Sequence, residues 1–424
     1  MKKVLGRHKA GMATGLSSGD ARFMTGYFFL FSIYGITTPF LQVLIKGLGY
    51  DSAQIGFYLG LFEAAGIGGQ LLLARVADRS GAYRPWLLLT AALTILSAFP
   101  LALFPSPLIT AMAVVAMAFG VRGMVPVMDA SVVAHTQGNE ERGDRVEGER
   151  PGETRAKRGN YGLIRSVGSI GYICMLLVTQ TANLQHGKPL AIASWEAGAA
   201  VIFMLILVIV PESGRLARKE PTEQRKSRGR LDLRLFLGLV IIGLGRLAMA
   251  PVNSFFTLYV TDVVKGDMAG IYWALSAAAE VPALIVAKRF IDRFGPMRVL
   301  AVSTAAIAVR LSLYIVAPNV AGVIAAQLLH FFCYGLFLPS AIAFVSSLVP
   351  PERRVWGMSL LTGVAVGFPS FLGSSLGGMI LERGGYDALF GWAIVPAILG
   401  LAIWFATRKT LDVREGSVRT EAAR

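Results

Sequence analysis

The chain has little charge, little histidine and almost no cysteine. Only 16% of its 424 residues are Asp, Glu, Lys or Arg, with four histidines and two cysteines. Cys174 and Cys333 both fall in apolar runs, so a structural disulfide is not expected. No Cys/His cluster has metal-ligand spacing, and no metal or cofactor is expected. The chain has no GxxxxGK[ST] loop, no His-Glu metal motif, no nucleophile elbow and no paired catalytic acids. These gaps argue against an ATP-driven pump and against an intramembrane enzyme. The first 22 residues are basic and small and lack an early apolar core, so no cleavable signal peptide is expected. Long soluble stretches are also missing: the longest polar loops hold about two dozen residues. That counts against a membrane sensor or scaffold, which would need an effector domain.

What the chain has in excess is apolar residue. It is 54% hydrophobic, with a mean hydropathy of +0.58. Those values fit a polytopic all-α membrane protein and no ordinary soluble one. A net charge of +15 would suggest nucleic acid in a soluble protein, but here the charge is confined to loops. The lipid bilayer, and no nucleic acid, is the expected partner.

Twelve spans are expected, most with the roughly 20 residues a bilayer needs. They run Phe23–Ile45, Gln54–Ala74, Trp86–Phe104, Leu108–Ala134, Tyr161–Ala182, Leu190–Val210, Leu235–Tyr259, Met268–Ala287, Val299–Ala317, Ala321–Leu348, Met358–Leu381 and Ala388–Ala406. Lys and Arg set the orientation. With both termini in the cytoplasm, 33 of the 41 basic residues fall on the cytoplasmic side. Lys46, Lys188, Lys265 and Arg383 fall on the other, and Arg122, Arg165, Arg246 and Arg310 lie inside spans. The expectation is a multi-pass protein of the inner membrane, monomeric, with both termini cytoplasmic.

The spans divide into two halves of six. Residues 1–22 form an N-terminal tail, 23–210 a first six-helix bundle, 211–234 a charged linker, 235–406 a second bundle and 407–424 a tail. A second polar loop, Gln137–Asn160, follows span four. An internal repeat supports the halves. ARVADRSGAYRP follows span two and KRFIDRFGPMR follows span eight, each with Asp-Arg-x-Gly: Asp78, Arg79, Gly81 and Asp292, Arg293, Gly295. The glycine permits a tight turn between helices. The charged pair can bind helix ends and change partners when the halves rock.

The stretch YGLIRSVGSIGY, Tyr161–Tyr172, opens span five. Arg165, Ser169 and Tyr172 share a helical face, and that polar face should point away from lipid. A guanidinium at this depth needs a partner or a water-filled cavity. Small residues around it, Gly162, Ser166, Gly168 and Gly171, allow a neighbouring helix to come close.

The doubled DRxG loops resemble the signature of the major facilitator superfamily, although the usual leading glycine is Ala74 in one copy and Lys288 in the other. The resemblance covers nearly the whole chain. It implies two pseudo-symmetric six-helix bundles and a secondary transporter working by alternating access. More narrowly, YGLIRSVGSIGY with the preceding PVMDA resembles sugar/proton symporters of the lactose-permease type and their phenylpropionate and nucleoside relatives.

Ionisable groups inside the spans are functional hypotheses by default. Asp129 and Arg165 lie at similar depth on antiparallel spans and can pair bidentately. The resemblance places them on a sugar-contacting acid and its partner Arg; a purely structural ion pair is the competing reading. Arg122 lies two turns before Asp129 on the same face. It either lines the same cavity, where it would attract an anionic substrate, or balances Glu63 on span two. A Glu63–Arg122 pairing is favoured. Glu280, Arg310 and His330 lie near mid-membrane on spans eight, nine and ten, and are the ingredients of a proton relay. The resemblance places Arg310 and His330 on the coupling Arg and His, but the acid three residues after that His is Cys333 here. Glu280 is therefore the expected proton carrier. Arg246 is expected to snorkel to the cytoplasmic interface. Asn253, Phe256 and Tyr259 on span seven offer polar and aromatic cavity contacts or, as readily, form a packing stripe, and Tyr172 shares the polar face of Arg165. Trp273, Trp356 and Trp392 suit interfacial belts.

The leading expectation is a proton-coupled transporter of a small organic solute of the sugar, aromatic acid or nucleoside class. The alternatives are a non-transporting sensor or scaffold on the same fold, or a proton-driven exporter.

Overall fold

The computed structural model of the chain describes residues 17–143, 161–211, 232–350 and 353–411. Most of the linker 211–234, most of the loop Gln137–Asn160, residues 1–16 and residues 412–424 lie outside the described residues.

Among the described residues the secondary structure is helical throughout. The helices are α1 Ser18–Gly47, α2 Ser52–Ser80, α3 Arg84–Leu103, α4 Pro107–Gly143, α5 Tyr161–Thr181, α6 Pro189–Ile209, α7 Leu233–Tyr259, α8 Ala269–Phe294, α9 Pro296–Val316 and α10 Val320–Leu348. A last apolar stretch, Trp356–Leu411, is broken at Gly385 (φ 70, ψ −172), a conformation open to glycine. That break makes α11 (356–384) and α12 (386–411), so twelve spans result. Hydropathy finds the spans but understates several. α2 runs six residues past Ala74, and α8 runs seven past Ala287. The charged loops contribute these turns, because exposed Lys, Arg and Asp extend a helix as readily as they solvate a loop. Asp78, Arg79, Asp292 and Arg293 thus sit on the last turns of helices rather than in loops. Gly81 (φ 65) and Gly295 (φ 85) end those helices with the positive φ that the repeat requires.

Helix starts follow local chemistry. Ser17 and Asp20 form a reciprocal capping box on α1, as Asp51 and Gln54 do on α2. Outward faces are apolar, with Ile285 77% and Val316 75% exposed in mid-chain helices, which is a lipid-facing surface. Trp273 departs from the interfacial expectation. It is buried and donates from Nε1 to Thr257 Oγ1 at 3.0 Å. Cys174 is exposed and Cys333 buried, and neither forms a disulfide.

The two six-helix halves meet along α2 with α11, α5 with α8 and α1 with α7. α2 and α11 touch backbone to backbone: a Cβ at Gly56 would lie 2.5 Å from the Ser374 carbonyl oxygen and 2.7 Å from Gly378 Cα. Among the described residues, hydrogen bonds between the halves gather at one end, opposite the termini. Lys46 Nζ reaches the Asp262 carboxylate at 2.8 Å, and Ser52 N donates to Glu382 Oε2 at 2.8 Å. The Asp267 carbonyl accepts from Gln180 and Gln185, while Gly270 N donates to Gln180 Oε1 at 2.9 Å.

Candidate functional site

Between the halves, mid-helix charged groups face one another. Glu63, Arg122, Asp129, Arg165 and Glu280 keep 27–37% of their side chains exposed. At that depth exposure to lipid is prohibitive, so these groups face the interior between the halves.

On the N-terminal half, Glu63 of α2 pairs with Arg122 of α4, as expected. The guanidinium lies over the rings of Tyr34 (5.8 Å) and Phe62 (5.4 Å). Its stem fits because Gly66 has no side chain: a Cβ there would lie 2.6 Å from Arg122 Cγ. Asp129 of α4 and Arg165 of α5 also meet, but not as a bidentate fork. A single contact from Nη1 spans 3.5 Å to Oδ1. The fork is lost because Tyr27 of α1 donates to the same oxygen at 2.5 Å. The guanidinium instead lies over Tyr27 (5.8 Å) and Phe31 (5.2 Å). Tyr161 lies against the same carboxylate.

On the C-terminal half, Arg310 of α9 is buried and spends its donors on neutral acceptors. Nη2 donates to Gln327 Oε1 at 2.8 Å, Nε to Tyr314 Oη at 3.1 Å and Nη1 to His330 Nδ1 at 2.8 Å. An arginine always donates, so His330 Nδ1 accepts and the imidazole proton sits on Nε2. That nitrogen lies 3.8 Å from Glu280 Oε2 of α8. Glu280 and Arg310 are thus connected through His330. The imidazole sits directly before a π-helical segment of α10, Phe331–Leu336, whose extra residue per turn displaces the following side chains. Tyr334 of that segment stacks on His330 at 5.3 Å and comes within electrostatic range of Arg122 and Tyr172 on the opposite half.

Arg246 departs from expectation. α7 begins at Leu233 and, with a π-helical end, runs to Val264, so Arg246 lies near its middle. It is 7% exposed and lies over Tyr334 at 5.6 Å, with Nη2 donating to Ser370 Oγ at 3.2 Å. It does not snorkel to the interface. Asn253, seven residues on, is half-buried on the same face. Tyr172 is half-buried and within electrostatic range of Glu280 across the interface. Asp78, Arg79, Asp292 and Arg293 lie apart from the cavity, at the end that carries the termini; Lys288 bridges Asp292 one helical turn away at 2.5 Å.

Sequence reading misses Tyr27, Tyr34, Tyr314, Gln327 and Tyr334, which satisfy or shield the charges. A tyrosine three or four residues from a charged one, as Tyr314 is from Arg310 and Tyr334 from His330, is the available signal. It also misses Glu196 of α6, a buried acid behind the cavity against Thr37 Oγ1 at 2.5 Å. Thr37 has one hydroxyl proton and also reaches the Ile33 carbonyl at 3.0 Å. A proton on the carboxyl completes both contacts.

A family model described as the MFS_1 like family matches residues 21–392. Maltose permease of Geobacillus stearothermophilus is 25% identical over 409 residues, which is 93% of this chain and 96% of that protein. The uncharacterized transporter YwbF of Bacillus subtilis (strain 168) is 24% identical over 252 residues, 59% of this chain and 62% of that protein. Among solved structures, the nucleoside transporter NupG superposes with a TM-score of 0.72 at 17% identity, covering 94% of this chain and all of that one. At that identity the likeness speaks for the fold. With the spans, these findings make the chain a multi-pass membrane protein.

Proposed function

From the premise that this chain belongs to the MFS_1 like family, we propose that it is a secondary transporter moving a small organic solute by alternating access, coupled to protons. The carrying observation is the set of part-exposed, mid-helix charged groups that face the interior between the halves. Ion pairs line one wall, a Glu–His–Arg relay lines the other, and inter-half hydrogen bonds close one end. Such midplane sites at a repeat interface are where secondary transporters bind substrate. Asp129, Arg165, Arg122, Tyr172 and Asn253 contact the solute. Glu280, His330 and Arg310 handle the proton, with Glu63 the next acid in reach. The relatives named for maltose and nucleosides support a solute of sugar or nucleoside size. The Asp-Arg-x-Gly helix ends hold the terminal face together when the cavity opens the other way.

Two measurements test this reading. Proteoliposomes loaded with maltose, uridine or 3-phenylpropionate should exchange at least one of the three with external labelled solute. Failure with all three removes these substrate classes. The charge asymmetry further supports an inner-membrane protein with both termini in the cytoplasm. In a variant lacking Cys174 and Cys333, single cysteines at Gly143 and Ser227 should resist an impermeant thiol reagent in intact cells, and one at Gly187 should react. The opposite pattern would invert the orientation.

A further inference from the structure

We propose that Arg246 is an anion-binding group, and that the solute carries one negatively charged oxyanion, a carboxylate or a phosphate. This rests on the transporter reading and narrows its substrate class. The argument is one of charge and unspent hydrogen bonds. Near mid-membrane in the N-terminal half, each guanidinium has a carboxylate: Arg122 has Glu63 and Arg165 has Asp129. Near mid-membrane in the C-terminal half, two guanidinium groups, Arg246 and Arg310, share one carboxylate, Glu280, which lies against His330. His330 carries no positive charge while its Nδ1 accepts from Arg310. One positive charge is therefore unbalanced in that wall.

The surplus lies at Arg246. Arg310 has neutral acceptors on Nε, Nη1 and Nη2. Arg246, although 7% exposed, uses one of its five N–H donors among the described residues, and that on the hydroxyl of Ser370. Its Nε is sealed with no partner, and no carboxylate among the described residues comes within ion-pairing distance. A guanidinium held this way in a membrane interior is unfavourable by itself, and a packed apolar side chain of similar volume would be more stable. The surroundings look toward the cavity. Tyr334 lies under the guanidinium and near enough to Arg122 of the opposite half to interact with it electrostatically, and Asn253 on the same face of α7 makes no hydrogen bond among the described residues. An oxyanion on Arg246 would balance the charge and take up the open donors, with the body of the solute against Tyr334 and Asn253.

The test compares full-length wild type, Arg246→Gln and Arg246→Lys in detergent. The probes are matched pairs: glucuronate with glucose, benzoate with benzyl alcohol, and uridine 5′-monophosphate with uridine. In at least one pair, the anion should raise the wild-type melting temperature by roughly 2 °C or more and its neutral partner should not. The shift should vanish in Arg246→Gln and be smaller in Arg246→Lys, which keeps charge without the planar fork. Carboxylate and phosphate probes separate the two oxyanions. Without any probe, Arg246→Gln should melt higher than wild type, because the uncompensated charge is gone. This arm decides the matter even when no probe binds: a lower melting temperature makes Arg246 a structural anchor to Ser370 and overturns the proposal. It is equally overturned by an anion shift that persists in Arg246→Gln, or by neutral members binding as well as anions. Counterflow of the same probes keeps the two readings apart. Exchange of neutral probes alone sinks the anion site and leaves the transporter, whereas anion binding through Arg246 without exchange leaves the site and sinks transport.

Discussion

Replacing Glu280 with Gln is expected to abolish accumulation driven by a pH gradient while leaving solute exchange within about threefold of wild type. A coupling acid must take a proton facing one side and release it facing the other, and a carboxylate at the edge of a low-dielectric cavity does so when its neighbours change. Here the neighbour is His330, whose Nε2 points at Glu280 from 3.8 Å while Arg310 holds its other nitrogen at 2.8 Å. Nε2–H can donate to Glu280 when that gap closes and cannot when it opens. Arg310 fixes the imidazole, so relative movement of α8 against α9 and α10 alters the gap without disturbing the tautomer. Gln keeps the size and the hydrogen-bonding capacity but cannot ionise. With one proton per solute, a gradient of about one pH unit supports about tenfold accumulation, and the variant should level off at equilibrium. Exchange survives because a loaded carrier need not release its proton. Accumulation retained in Glu280→Gln vesicles would remove Glu280 from the mechanism and turn attention to Glu63 and Asp129.

The second large effect is expected at Gly56, far in sequence from the charged groups. Gly56→Val should lower transport at least tenfold without loss of membrane insertion. Its side chain would enter the space held by the Ser374 carbonyl and Gly378 Cα on α11, both backbone atoms that cannot rotate away. The halves would separate at the end now closed by Lys46–Asp262 and Ser52–Glu382. The population would shift toward the conformation open at that end, since a two-state carrier responds to whatever disfavours one state. In a background lacking Cys174 and Cys333, a cysteine at Asn253 should then react faster with an impermeant thiol reagent added outside intact cells. Unchanged uptake together with unchanged labelling would mean that α2 and α11 do not form the closing contact.

Part of the cavity could be read from the chain before any coordinates. Glu63 is alone in its apolar run and a buried charge needs a partner, which favours Arg122 even though Arg122 shares a face with Asp129; the two do pair. Asp129 and Arg165 met at the expected depth because residue counts along antiparallel helices convert directly to height. The manner of meeting did not follow. Tyr27, a hundred residues away in sequence, takes the oxygen that a fork would need. Arg246 lies near the middle of both the expected span Leu235–Tyr259 and the observed helix Leu233–Val264; what spacing does not reveal is that its side chain turns inward over Tyr334 instead of toward the interface. Glu196 carries the same signal as Glu63, an acid alone in an apolar run, but its partner is the neutral Thr37, which no matching of charges finds.

The sequence by itself determined the number of spans, their grouping into two repeated halves, the glycine breaks that end α2 and α8, and the asymmetry of positive charge. These depend on hydropathy, spacing and backbone permissiveness, which are properties of the chain taken in order. Only the tertiary structure decided that His330 stands between Glu280 and Arg310, that Tyr334 lies against Arg246, that Arg246 has no counter-ion among the described residues, and that hydrogen bonds between the halves gather at the end opposite the termini. Each of those depends on how far a helix is rotated about its own axis and how closely it approaches its neighbour. In a bilayer, where hydrophobicity drives helices into lipid without choosing their partners, rotation and approach are set by contacts such as Gly56 on Gly378 and Gly66 beside Arg122.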